Sequence, residues 1–320
     1  MPKRTLSAIL TIILLLPMLF TLGSCSISTP AHEKPLVVTT IFPPYDFARE
    51  IAGDRIDLSV LVTVTDSHSF SPTAADMALI EECDLFIYTG GEDDAWAEDF
   101  LRQIDTSEKT VINMMELCTL IETEHDHDHS HGHDHDDEHA EETYDQHVWL
   151  DPHNAILIVE AIRDALISID TDHTQEYQQN ADAYLNELHS LDEDYHTTID
   201  AALRHSIVVA DQFPYRYLCE AYGISYTSAI DGCGSASDLT AIEYDRLIEK
   251  LRQDDLSVIL CTEYSDRTIA NTVLREGGRA DVRILSLHSC HTLSLADIRD
   301  GNTYLSLMRE NLQVLTEALN

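Results

Sequence analysis

Positive charge is scarce: 19 Lys+Arg stand against 58 Asp+Glu in 320 residues, a formal net charge of −39. That deficit excludes nucleic acid as a partner, because binding it depends on neutralising phosphates with Lys and Arg. Aromatic residues are few at 7%, yet apolar residues reach 44%, enough to build a core and too many for a disordered chain. None of the seven cysteines stands in a CxxC pair, so no zinc ribbon is encoded. No HExxH motif is present, which argues against a zinc protease of that type. No long apolar run recurs after residue 20, so no second membrane-crossing segment is read. The surplus of acid serves either to keep the surface solvated or to draw small cations.

The chain opens on Lys3 and Arg4, then an apolar stretch over 5–20 that contains Pro17. A short, Pro-interrupted stretch of this kind reads as a cleaved export signal rather than a span. Leu22-Gly23-Ser24-Cys25 resembles a bacterial lipobox, with Cys25 as the lipid-modified first residue of the mature chain. Residues 1–24 are then signal, and 25–35 a lipid-anchored tether on an extracytoplasmic membrane surface. Export permits disulfides. The wide spacing of Cys83, Cys118, Cys219, Cys233, Cys261 and Cys290 nonetheless suggests small buried apolar side chains.

From residue 36 strands and helices alternate. Strands are predicted at 36–41, 56–62 and 84–88, and helices at 43–51 and from Pro72, in the first turn, to about 82. Asp151-Pro152 predicts the cap and first residue of a helix to about 169. Tyr177, Ala181, Tyr184, Leu188, Leu191, Tyr195 and Ile199 trace one apolar stripe through a Gly- and Pro-free run at 172–203, a connecting rod. Strands at 206–210, 224–227, 257–262 and 282–287 follow, with helices at 214–222, 238–253, 266–276 and 302–319. The pattern predicts an α/β fold of two lobes, each a mainly parallel sheet covered by helices. The lobes are read as 36–170 and 204–320, joined by one long rigid helix at 171–203.

Residues 122–142 break the alternation. This run is almost wholly His, Asp and Glu, and it reads as a surface loop because it has nothing to bury. Its His125, His127, His129, His131, His133, His135 and His139 form a candidate accessory zinc-collecting set.

Ligands in open α/β sheets bind beyond the carboxyl ends of strands. Metal-capable residues there are His68, His147, Asp211 and His288, two from each half. Three imidazoles and a carboxylate suit tetrahedral zinc.

The chain resembles the solute-binding lipoproteins of zinc and manganese ABC importers, the cluster A-I group, over nearly all of 25–320. The resemblance rests on IFPPYDFAREIAGD, DSHSFSPTAADM, DLFIYTGGEDDAWAEDFL, the His-rich insert and DQHVWLDPHNA, in that order. It implies two lobes about a long rigid helix, with the metal between them. It implies His68 and His147 as the first two ligands. The third position falls on Gln212, five residues before Tyr217, a poor ligand beside the chemically better Asp211. The fourth falls on His288, with Cys290 and His291 as nearby alternatives and Glu263 as a supporting or structural residue. Imidazole in place of carboxylate favours Zn²⁺ over Mn²⁺. The expected function is a monomeric, non-enzymatic zinc-capture protein serving an ABC importer permease. The rivals are a manganese-binding member, a zinc-dependent exported hydrolase with Glu263 as base, and an adhesin or metal buffer.

Overall fold

Leu36–Thr39 (β1) reads LVVT, an apolar and β-branched run with all four residues buried, as a strand covered on both faces requires. The computed structural model describes residues 34–63, 70–123, 143–232 and 239–320. The signal, Cys25, His68, the insert histidines and Cys233 lie outside the described residues. In the first half, Asp57–Val60 (β2), Leu85–Tyr88 (β3) and Thr110–Asn113 (β4) join β1 in an all-parallel sheet of order β2-β1-β3-β4. In the second half, Ser206–Phe213 (β5), Ser225–Asp231 (β6), Val258–Thr262 (β7) and Arg283–Leu287 (β8) repeat the arrangement as β6-β5-β7-β8. The expected pair of parallel sheets is therefore present. In each sheet the strand order reverses between the two central strands, the place where such sheets form ligand crevices.

The helices are Phe42–Ala52 (α1), Ala74–Glu82 (α2), Ala95–Leu101 (α3), Pro152–Ile169 (α4), Thr174–Asp200 (α5), Arg216–Ala221 (α6), Ala241–Gln253 (α7), Thr268–Gly277 (α8), Leu295–Arg299 (α9) and Tyr304–Ala318 (α10). The cap at Asp151 accepts the His153 N–H, with Pro152 at the first helical position, as predicted. Pro72, expected inside α2, stands before its cap. The Thr73 hydroxyl accepts from Asp76 N–H while the Asp76 carboxylate accepts from Thr73 N–H, and this reciprocal box starts the helix at Ala74. The strand β4 and the short helices α3 and α9 were not predicted. In β4 only Ile112 is buried, so the apolar signal of an edge strand is faint.

Every residue of the stripe predicted for α5 is buried. Its 27 residues give about 40 Å of helix. It packs on α1 and α4 from the first half and on α10 from the second. One continuous core runs from Phe47 and Trp149 through Tyr184, Leu188 and Tyr195 to Tyr304 and Leu287, so both halves share it. Each half adds a smaller cluster of its own, around Phe86 in the first and Ile259 in the second. Leu188 is fully enclosed. Leu188→Ala is expected to lower unfolding free energy by about 2–5 kcal/mol in urea titration, because the cavity adds to the lost transfer energy; a loss under about 1 kcal/mol would deny α5 this central role.

Cys83, Cys118, Cys219, Cys261 and Cys290 are free thiols, and all but the half-buried Cys118 are buried. Among the described residues no helix is long and apolar enough to cross a membrane.

Candidate metal site

The insert is closed at its neck by backbone pairing. Glu122 bridges antiparallel to Tyr144, Thr123 N–H donates to the Thr143 carbonyl, and Asp145 N–H donates to the Ile121 carbonyl. The chain therefore leaves the insert directly into Asp145-Gln146-His147. His147 opens the 3-10 turn Val148–Leu150 and is buried. One oxygen of Asp145, Oδ1, accepts from the His147 N–H and lies 2.9 Å from its Nδ1. An ionised carboxylate only accepts, so the His147 ring carries a proton on Nδ1, directed at Asp145. Asp145 is held below the usual carboxylate range: burial pushes it up, but the His147 charge and hydrogen bonds and the Arg216 guanidinium outweigh that. Arg216 Nε lies 3.8 Å from Asp145 Oδ2, and the Tyr217 hydroxyl donates to the Asp145 carbonyl at 3.0 Å. The second half thus grips the segment that bears His147, through α6.

His291 meets His147 from the other side. Their rings are perpendicular with centroids 5.6 Å apart, and Trp149 packs on both, 5.3 Å from His147 and 5.0 Å from His291. A small pocket beside them, lined by Ile41, Thr89, Asp94, Gln146, Trp149 and His291, opens next to Val62 and Phe70. Those two residues flank the segment that carries His68.

The other candidates are engaged differently. Asp211 was expected just past a strand end, but β5 continues through Phe213 with a register break between Val209 and Gln212. Asp211 Oδ1 accepts from Gln212 N–H at 2.9 Å, and Oδ2 accepts from the Thr262 hydroxyl and N–H at 3.0 and 3.3 Å, tying β5 to the end of β7. Gln212 sits inside β5, in register with Ile230 of β6. The His288 ring lies against Glu263 and Tyr264, and its Nδ1 accepts the Cys290 N–H at 2.9 Å. Burial lowers its pKa against the pull of Glu263. The Cys290 thiol is fully buried, and that burial keeps it far above its usual range, a poor state for a ligand. His291, named only as an alternative to His288, is the residue brought against His147. Between His288 and His291 the chain turns at Cys290, whose φ of +55° lies in the left-handed region. Asp145 and Trp149 were not singled out in the sequence; the Asp-x-His spacing was the available signal for Asp145. Among the described residues no group of three or more His, Cys, Asp or Glu side chains is arranged to hold a metal ion.

The model of the family described as zinc-uptake complex component A, periplasmic, matches residues 37–318. The zinc-binding lipoprotein AdcA of Streptococcus pneumoniae strain R6 is 32% identical over 298 residues, 92% of this chain and 58% of that protein. The chain thus spans little over half the length of that relative. The high-affinity zinc uptake system protein ZnuA of Bacillus subtilis is 29% identical over 290 residues, 90% of this chain and 88% of the relative. Among solved structures, the Zn(II)-bound ZnuA-like domain of S. pneumoniae AdcA superimposes with a TM-score of 0.72 at 28% identity, covering 89% of this chain and 99% of that domain. The metal-dependent lipoprotein YcdH of B. subtilis gives 0.75 at 25% identity, covering 90% and 100%. On the extent of these matches and the shared two-sheet architecture, the chain belongs to the zinc-uptake complex component A family.

Proposed function

We propose that this chain is the extracytoplasmic binding component of a zinc ABC importer, which captures Zn²⁺ between its two halves and delivers it to a membrane permease. The observation that carries the reading is the buried Asp145–His147 pair, whose imidazole stands perpendicular to the His291 ring with centroids 5.6 Å apart. A carboxylate behind an imidazole fixes the tautomer and raises ligand basicity, the usual outer support of a metal-bound histidine. His147 and His291 supply two ligands and His68 a third; imidazoles favour zinc over the harder manganese. Asp211 and His288 serve as supports, since both Asp211 oxygens accept from Thr262 and Gln212 and the His288 Nδ1 accepts from Cys290 N–H. The zinc-binding names of the relatives support the same substrate. Residues 36–170 and 204–320 act as the two metal-binding lobes and 171–203 as the rod between them. Residues 1–24 are the signal, Cys25 carries the lipid anchor, and the protein works as a monomer without catalysis. In the hydrolase reading Glu263 would be the base, but both its oxygens accept from Ser289.

The insert collects zinc loosely at the mouth of the site, since its neck ends beside Asp145. Calorimetric titration of the full chain with Zn²⁺ and Mn²⁺, with and without residues 124–142, tests both roles. One tight zinc event is expected to survive the deletion while weaker events disappear, with manganese at least about 10-fold weaker. Tighter manganese binding would overturn the substrate. Loss of the tight event on deletion would overturn the division of roles.

A further inference from the structure

His291 reaches His147 only because the chain turns sharply at Cys290. Its φ of +55° lies in the left-handed region, which side-chain-bearing residues enter at a cost, and no glycine is there to relieve it. Contacts around the turn must therefore hold it, and Ser289 receives most of them. Glu263, the first residue beyond β7, accepts from the Ser289 hydroxyl through Oε1 at 2.7 Å and from the Ser289 N–H through Oε2 at 3.0 Å. On the other side, Trp149 Nε1 donates to the Ser289 carbonyl at 2.9 Å. Ser289 Oγ accepts from His291 N–H at 3.3 Å, and the His291 carbonyl accepts the N–H of Phe42, the first residue of α1, at 3.2 Å. The turn is thus a strap pinned to both halves, with a carboxylate at its centre.

Building on the reading of His291 as a ligand, we infer that Glu263 is a positioning residue for zinc. It never touches the metal; it fixes the turn that aims the His291 ring at His147. An acid just past a strand end would itself make a good metal ligand, but here each oxygen accepts from Ser289, and Oε1 also lies 3.4 Å from His288 Nδ1. Without Glu263 the Ser289 N–H and O–H lose their acceptors and Cys290 relaxes out of the left-handed region. His291 then samples other directions, and bound zinc is released faster.

The test is Zn²⁺ competition titration and Co²⁺ visible spectroscopy on the full chain. Glu263→Ala is expected to raise the zinc dissociation constant about 10-fold or more, the usual effect of losing an outer support. It should also weaken the cobalt d–d band that reports the coordination geometry. Glu263→Gln should recover the affinity to within about threefold, because its amide oxygen still accepts from Ser289. Ser289→Ala keeps the fold and one of the two bonds, and should fall between them; it decides the matter if Glu263→Ala does not fold. A lowered melting temperature with unchanged zinc affinity and cobalt spectrum in Glu263→Ala or Ser289→Ala would overturn the inference, leaving Glu263 merely structural. His291→Ala in the same series separates the two claims. If it loses zinc while the Glu263 and Ser289 variants do not, only the positioning role fails. If it binds zinc normally, the site itself has been misassigned and the inference falls with it.

Discussion

Replacing His147 with alanine is expected to raise the zinc dissociation constant by more than about 100-fold, because loss of an outer partner alone costs about 10–100-fold. His147 is buried, its Nδ1 is fixed by Asp145, and its ring has the His291 ring as neighbour. The alanine variant removes the donor and also leaves Asp145 buried with the Arg216 contact as its remaining charge partner. Asp145→Ala keeps the imidazole but frees its tautomer and rotation, so its effect should stay within the 10–100-fold range. Competition titration against a chromophoric zinc chelator measures both. An His147→Ala protein that binds zinc within threefold of the unaltered chain would remove His147 from the site. Trp149 gives an independent signal, since its ring touches both histidines and the chain has only one other tryptophan, Trp96.

The second large effect concerns stability against pH, and it centres on Asp46. This side chain is fully enclosed between α1 and α10. Its Oδ1 pairs with Arg49 at 2.5 Å, and its Oδ2 accepts the N–H of Tyr304, the first residue of α10, at 2.7 Å. Burial dominates these partners and pushes the carboxyl up to about 7 from its usual 3.8. A folded-state pKa above the unfolded one means that the native state binds more protons between those two values. The stabilisation is therefore complete below pH 4 and is lost as pH rises through 7. The other acids of this polyanion titrate in both proteins, so the difference between the parent and Asp46→Asn isolates the one group. The parent is expected to lose on the order of 4 kcal/mol relative to Asp46→Asn between pH 4 and pH 8, at about 1.4 kcal/mol per pKa unit. Denaturant titrations at pH 4, 6 and 8 measure it. Parallel profiles would show that Asp46 is ionised throughout, with Arg49 outweighing burial. Asp46 also joins α1 of the first half to α10 of the second through the Tyr304 N–H.

Local chemistry carried most of the fold. The stripe of α5 was legible because a buried helix face repeats every three to four residues. The cap at Asp151-Pro152 was legible because its contacts lie within two residues along the chain. The strand β4 was not, since an edge strand with one buried residue leaves little apolar pattern to read. The order of the strands in each sheet and the single core shared by both halves are long-range facts, set by which apolar faces cover one another.

The sequence by itself determined the class of fold, the long central helix, the polyanionic character, and His147 as a residue worth watching at the edge of the His-rich insert. Only the tertiary structure decided which partners meet. Asp211 was read as a metal-capable residue beyond a strand end, and its carboxylate bonds to Thr262, 51 residues away. His288 follows its strand as predicted, yet the left-handed turn at Cys290 carries His291 to His147 instead. Hydrogen bonds of this kind join groups far apart in the chain, as the Trp149 indole and the Ser289 carbonyl are, and no periodicity within a segment encodes them.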